Sequence, residues 1–172
     1  MKARHRIQKK IYDGLEAGYA PVYADKNAFK TRMAQYLFEA REKKYFGYSL
    51  KALKNEAMIR SLKLKPGEKV LDAGCGGGIL INQLKAAYNI EGYGLDLSTL
   101  AIKRAKECGD KKIKYKNGKL EKIPYPSNYF DCVVSFDVLE HVQSKEKSLK
   151  ELARVLKPGG RMLLYAISKR DY

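Results

Sequence analysis

Apolar and polar positions change rhythm near Lys69. Before it, apolar residues recur three and four apart. Phe29, Met33, Tyr36, Leu37 and Ala40 share one face of "NAFKTRMAQYLFEAREKKYF", and Leu50, Leu53, Ala57 and Met58 stay in phase through "SLKALKNEAMIRSL". That spacing predicts two amphipathic helices, the first N-capped by Asn27, and "KPGE" then makes a turn. After the turn, short apolar runs alternate with helical stretches. "KVLDAG", "GYGLDL", "IKYKNG", "DCVVSF" and "RMLLYAI" read as strands. The stretches "ILINQLKAAY", "LAIKRAKECG" and "KSLKELARVLK" between them read as helices, the last with Leu149, Leu152, Val155 and Leu156 on one side. Strand–helix–strand repetition requires right-handed crossovers and a parallel sheet covered on both faces. The first, fourth and fifth strands are almost wholly apolar, as doubly covered strands are. The fold class is therefore α/β, a doubly wound parallel sheet of five strands. The chain divides into an N-terminal helical extension, residues 1–65, and an α/β core, residues 66–172.

The first strand runs straight into glycines, in "VLDAGCGGGIL". In doubly wound sheets ligands sit beyond the carboxyl ends of the strands, where the strand order reverses. A glycine there can adopt positive φ and lets a ligand lie on the main chain. The dinucleotide pattern G-x-G-x-x-G fails from Gly74, which meets Ile79 at the third position, and from Gly76, which meets Ile81. The pattern D-x-G-x-G-x-G is satisfied instead, by Asp72, Gly74, Gly76 and Gly78. A carboxylate beside the turn suits a ligand with a positive amino or sulfonium group and disfavours a phosphate. Asp96, which closes the second strand in "GYGLDLS", stands at the spacing of an acid that binds a ribose diol.

Composition narrows the partners only a little. The 172 residues carry 35 Lys and Arg against 19 Asp and Glu, a net charge of +16. Residues 1–69 hold 17 of the cations and 7 of the acids. Such an excess attracts anions, nucleic acid included, yet the lysines are spread through every segment and no aromatic-rich RNA-binding motif accompanies them. Cys75, Cys108 and Cys132 form neither a disulfide framework nor zinc spacing. No run approaches the length of a signal peptide core or a membrane span, so the expected location is the cytoplasm.

The motifs "VLDAGCGGG", "GYGLDLS", "IPYPSNYFDCVVSFDVLEHV" and "LARVLKPGGRMLL" resemble, in order, those of class I S-adenosylmethionine-dependent methyltransferases. The resemblance covers residues 60–167 and is nearest to the group acting on small molecules, quinone precursors and lipids. It implies a Rossmann-like core with S-adenosyl-L-methionine as cofactor and a small-molecule or lipid-like acceptor; RNA is a less favoured acceptor. Gly74, Cys75 and Gly76 would line the methionine end, Asp96 would take the ribose hydroxyls and Leu97 would face the adenine. Lys119 and Leu120 would flank the adenine, and Ser135 and Asp137 would face the methyl group. The family carries Asp or Asn where Lys119 stands, and a lysine offers the adenine amino group no acceptor. Asn117 or main-chain atoms are the substitutes.

His141, in "DVLEHV", is the candidate general base, against a packing role common in the family; His5 lies in the basic tail. Asp137, Glu140 and His141 make D-x-x-E-H, similar to the metal site of some quinone and small-RNA methyltransferases if they share a helical face. The expectation is nonetheless that no metal is bound. Tyr12, Tyr19, Tyr23, Tyr36, Tyr45 and Tyr48 would pack on the sheet or line a lid. The family continues past strand five into an antiparallel hairpin, where this sequence stops. A fragment, an edge completed by a second copy or a partner chain, and a minimal form are the readings that follow. The rival to an enzyme is a non-catalytic cofactor-binding subunit.

Overall fold

A computed structural model describes residues 57–166, together with Asn27 and Thr31. The elements run β1 (Lys69–Ala73), α1 (Ile79–Tyr88), β2 (Glu91–Asp96), α2 (Thr99–Cys108), β3 (Lys114–Asn117), β4 (Phe130–Phe136), α3 (Lys145–Val155) and β5 (Leu156–Tyr165). Residues 57–61 are helical, as the periodicity predicts. Asn27 is itself helical, its carbonyl accepting from Thr31 Oγ1 at 2.9 Å, so it lies inside the helix it was expected to cap. The remainder of the N-terminal extension, with His5 and the six tyrosines of the lid reading, lies outside the described residues.

All five strands pair in parallel, in the order β3-β2-β1-β4-β5. The order reverses between β1 and β4, and there Asp72 stands beside Gly94 on one side and Val134 on the other. Alternation along the strands separates two cores. Val70, Cys132 and Val134 meet Ile81 and Leu84 of α1, Ile102 and Ala105 of α2, and Ile59, Leu62 and Leu64 of the preceding segment. Leu71, Ala73, Tyr93, Leu95 and Val133 meet Leu152 and Val155 of α3 on the opposite face. Truncating a fully buried leucine such as Leu152 to alanine would cost about 2–5 kcal/mol.

Between β3 and β4 no helix intervenes. Residues 118–129 cross the sheet as a loop that α3 fastens down. Arg154 donates to the carbonyls of Ile123 and Tyr125 at 3.0 Å each, while Glu151 accepts from Ile123 N–H at 2.8 Å. β5 begins five residues earlier than "RMLLYAI" implies, because Leu156 already pairs with Phe130. Residues 157–160 then bulge before Arg161 meets Cys132.

Candidate functional site

The glycine turn is stitched to the end of β2. Gly74 and Cys75 donate their N–H groups to Leu95 O at 2.7 and 3.0 Å, and Gly76 donates to Asp96 Oδ2 at 2.8 Å. Gly78 then donates to Cys75 O and begins α1. Gly74, Gly76 and Gly78 all have positive φ, 91°, 49° and 79°. An added Cβ at Gly74 would run into Val138, and one at Gly78 would stand 2.5 Å from the Tyr115 hydroxyl. Part of the space left by the missing side chains is thus filled by the protein itself. That refines the reading in which the turn is bare for a ligand alone.

Asp96 accepts on both oxygens, from Gly76 N–H and, at 2.8 Å, from Ser98 N–H, while Ser98 Oγ caps α2. Asn117, at the end of β3, donates its amide to the carbonyls of Asp96 and Leu97 at 3.0 and 2.8 Å and pins that corner from outside. Asp72, by contrast, is buried, with the Ile81 N–H on its carboxyl and Oδ2 without a hydrogen-bond partner among the described residues. Burial, then the neighbouring Asp96 charge, push the Asp72 carboxyl up to about 8. Burial also raises Asp96, against the N–H bonds of Ser98, Gly76 and Leu97 that stabilise its anion. Cys75 is raised by burial and by both carboxylates, and Tyr115 is raised chiefly by burial. Two carboxyls, a thiol and a phenol therefore crowd one largely buried corner, and among the described residues none of the charges that act on them there is a cation. A buried acid cluster of that kind stays protonated or is matched by a positive ligand.

The β4 side of the switch point is built differently. Ser135 is buried and donates its hydroxyl to Ala73 O at 2.7 Å, tying β4 to the end of β1. Asp137 follows with φ 54°, a left-handed conformation that is unusual for a residue with a side chain, and its N–H bonds Tyr165 O at 2.9 Å. Residues 139–141 form a turn rather than a helix, so Asp137, Glu140 and His141 do not share a helical face. No group of three His, Cys, Asp or Glu suited to a metal occurs among the described residues. His141 is exposed on that turn, with its pKa below the ordinary value through partial desolvation.

Lys119 is exposed and Leu120 is 4% exposed, packed in the α3-side core. Leu97 is half-buried beside Asp96. Sequence reasoning missed Asn82. Its buried amide donates to Gly78 O at 2.7 Å and to Tyr115 Oη at 2.6 Å, and its Oδ1 accepts from Asp110 N–H at 2.7 Å. An amide inside the apolar run "ILINQL" was the available signal.

Residues 71–164 match a family described as a methyltransferase domain. The chain is 35% identical to the ubiquinone/menaquinone biosynthesis C-methyltransferase UbiE of Vibrio cholerae, over 61% of this chain and 43% of that protein. It is 35% identical to the sterol 24-C-methyltransferase ERG6B of Gibberella zeae, over 60% of this chain and 28% of that one. Among solved structures it resembles phosphoethanolamine N-methyltransferase 2 of Haemonchus contortus, in complex with phosphomonomethylethanolamine and S-adenosylhomocysteine. There the TM-score is 0.61 at 27% identity, covering 69% of this chain and 30% of that one. The chain thus spans less than half the length of each. No helix among the described residues is long and apolar enough to cross a membrane.

Proposed function

The chain belongs to the methyltransferase-domain family, and we propose that it binds S-adenosylmethionine and passes the methyl group to a small-molecule or lipid-like acceptor. One observation carries this reading: two acids with no cation beside them among the described residues, at a turn of three left-handed glycines of which Gly74 and Gly76 are partly open to solvent. A phosphate placed there would be repelled by Asp72 and Asp96, whereas an ammonium or sulfonium would supply the missing charge.

Asp72, Gly74, Cys75, Gly76 and Gly78 would hold the amino-acid tail. Asp96 would take the ribose, since each of its oxygens retains acceptor capacity beyond the N–H it already binds. Leu97, Lys119 and Leu120 would border the base. Asn117, whose Nδ2 is engaged by two carbonyls, has Oδ1 left to accept from the base amino group, which Lys119 cannot do. When bound, S-adenosylmethionine supplies a methyl carbon activated by its sulfonium. The protein's share is then alignment, worth roughly 7–11 kcal/mol in well-oriented reactions. Ser135 and Asp137 would border the methyl. His141 would act as base only for acceptors that keep their proton near neutral pH. The acceptor class draws support from the quinone and sterol relatives.

Calorimetric titration with S-adenosylmethionine and S-adenosylhomocysteine tests the cofactor, with Asp96→Ala alongside. Binding at micromolar concentrations that the variant loses is the expected result. No binding by the folded chain would overturn the reading, and methyl transfer by the chain alone would exclude a subunit that cannot act without a partner.

A further inference from the structure

We propose that the free protein stores a proton on buried Asp72, beside the half-buried Asp96, and surrenders it when the cationic tail of the ligand enters, one proton per ligand bound. This rests on the cofactor reading above and adds to it a regulation of the same site by pH.

The argument begins with what surrounds Asp72. From α1 the Ile81 N–H reaches the carboxyl, and Oδ2 has no donor among the described residues. From the glycine turn comes the Cys75 thiol, from β2 the Asp96 carboxyl and from β3 the Tyr115 phenol. The nearby Asn82 amide is spent on Gly78 O and Tyr115, and the Ser135 hydroxyl from β4 on Ala73 O. Among the described residues no neighbouring side chain therefore compensates a charge on Oδ2. A carboxylate sealed in this way beside a second carboxylate is unstable, and the simplest remedy is a proton on the oxygen that lacks a donor.

The two acids are not equivalent. Asp96 takes main-chain N–H groups on both oxygens, which favour its anion more than the one N–H at Asp72 does. Asp72 is the member that holds the proton. An ammonium arriving on the turn provides the donor and the charge that Oδ2 lacks, so the carboxylic acid ionises and its proton leaves to solvent. Charge balances: a neutral acid plus a cation becomes an ion pair plus a free proton. Cys75 and Tyr115, both raised, keep their protons throughout.

The test is calorimetry of the unaltered chain with S-adenosylmethionine at about pH 6, in two buffers of different ionisation enthalpy. The ligand's own α-ammonium, with a pKa near 8, stays charged there. About one proton should be released per ligand, and affinity should rise roughly tenfold per pH unit between about pH 5.5 and 7. 5′-Methylthioadenosine, the nucleoside thioether without the amino-acid tail, should bind with no proton released. Asp72→Asn should abolish the release seen with S-adenosylmethionine; if that variant does not fold, the two ligands still decide the matter on the unaltered protein. Binding without proton release overturns this inference alone. Equal release with both ligands overturns it too, because the tail would not be the cause. No binding at any pH removes the cofactor reading and this inference together.

Discussion

Two neighbouring parts of one sheet carry opposite uncompensated charge. At the ends of β1 and β2, Asp72 and Cys75 are buried and Asp96 is half-buried, with no cation among the described groups that act on them. Next to them, residues 111–122 hold six lysines and a single acid, Glu121. That acid is used by the N–H groups of Gln143 and Ser144. Among the described residues none of the six lysines has an ion-pair partner, and all six are exposed. Solvent decides the difference. Exposed ammonium groups lose little by lacking a carboxylate, and they protect the open edge of β3 from pairing with another chain. Buried carboxyls must take a proton or a ligand. The lysine strand is complete as it stands, while the acid corner carries the charge that the proposed ligand would match.

The largest effects should come from the turn that closes the acid corner. Gly74→Ala puts a side chain at φ 91° and into Val138, and it should lower stability by about 3 kcal/mol or more in urea denaturation. Pairing it with Val138→Ala should restore part of the loss, which separates the collision from the backbone strain. Full additivity of the two changes would show that Val138 is not what the glycine makes room for. Asn82→Ala comes next, at about 2–4 kcal/mol, because the Tyr115 hydroxyl and the Asp110 N–H lose their partner, while Gly78 O keeps only the main-chain N–H of residue 82. Asp96→Ala should weaken binding of S-adenosylmethionine by about 1.5–3 kcal/mol, ten- to a hundredfold, through loss of charge-assisted hydrogen bonds.

The acid corner also predicts a pH dependence of the ligand-free protein. The Asp72 carboxyl titrates near 3.8 when unfolded and at about 8 when folded. The folded state therefore binds the extra proton between those values. Stability from this group is complete below the unfolded value and declines as pH rises toward 8. Asp72→Asn should flatten that decline and leave the free protein more stable than the parent at pH 8, by about 1–2 kcal/mol, while impairing ligand binding. Thermal melts of both proteins across the range read this directly, and parallel curves would count against a buried proton at Asp72.

How much of this the sequence revealed depended on how local each signal was. The strands and helices of the core were legible within a few residues, because each carries its own apolar period, β3 least clearly. Asp72, the glycines and Asp96 were legible too, as spacing at strand ends. Three kinds of fact were hidden. Asn82 looks like one polar residue in an apolar helix, since its partners lie in β3 and the loop after α2. The helical face expected for Asp137, Glu140 and His141 failed because Asp137 turns left-handed after β4, which a sequence without glycine there does not announce. Leu120 was read only as a neighbour of the adenine, and the packing of its side chain in the α3-side core was not announced. All three are decided by contacts between elements distant in the chain.

The smallest expected effect lies on the lysine side, and it bears most closely on whether the two regions truly differ. Lys116 places its ammonium 4.1 Å from the centre of the Tyr125 ring and donates to Pro124 O at 3.0 Å. Lys114 and Lys69 sit over Tyr93 and Tyr129 at 5.1 and 4.4 Å. These rings form one cluster with Phe130, their centroids 5.0 to 5.7 Å apart. The ammonium groups cap the edges of a packed aromatic layer that replaces a covering helix. Each is exposed or half-exposed, so a ring contact is worth about 0.5–1 kcal/mol. Lys116→Met keeps the aliphatic stem and removes the charge, and it should cost no more than about that amount, with cofactor affinity unchanged. Lys116→Ala should cost slightly more, through lost cover over Tyr125. A loss several times larger in either variant, or a change in cofactor affinity, would mean that the lysine strand and the acid corner act as one electrostatic unit rather than as two.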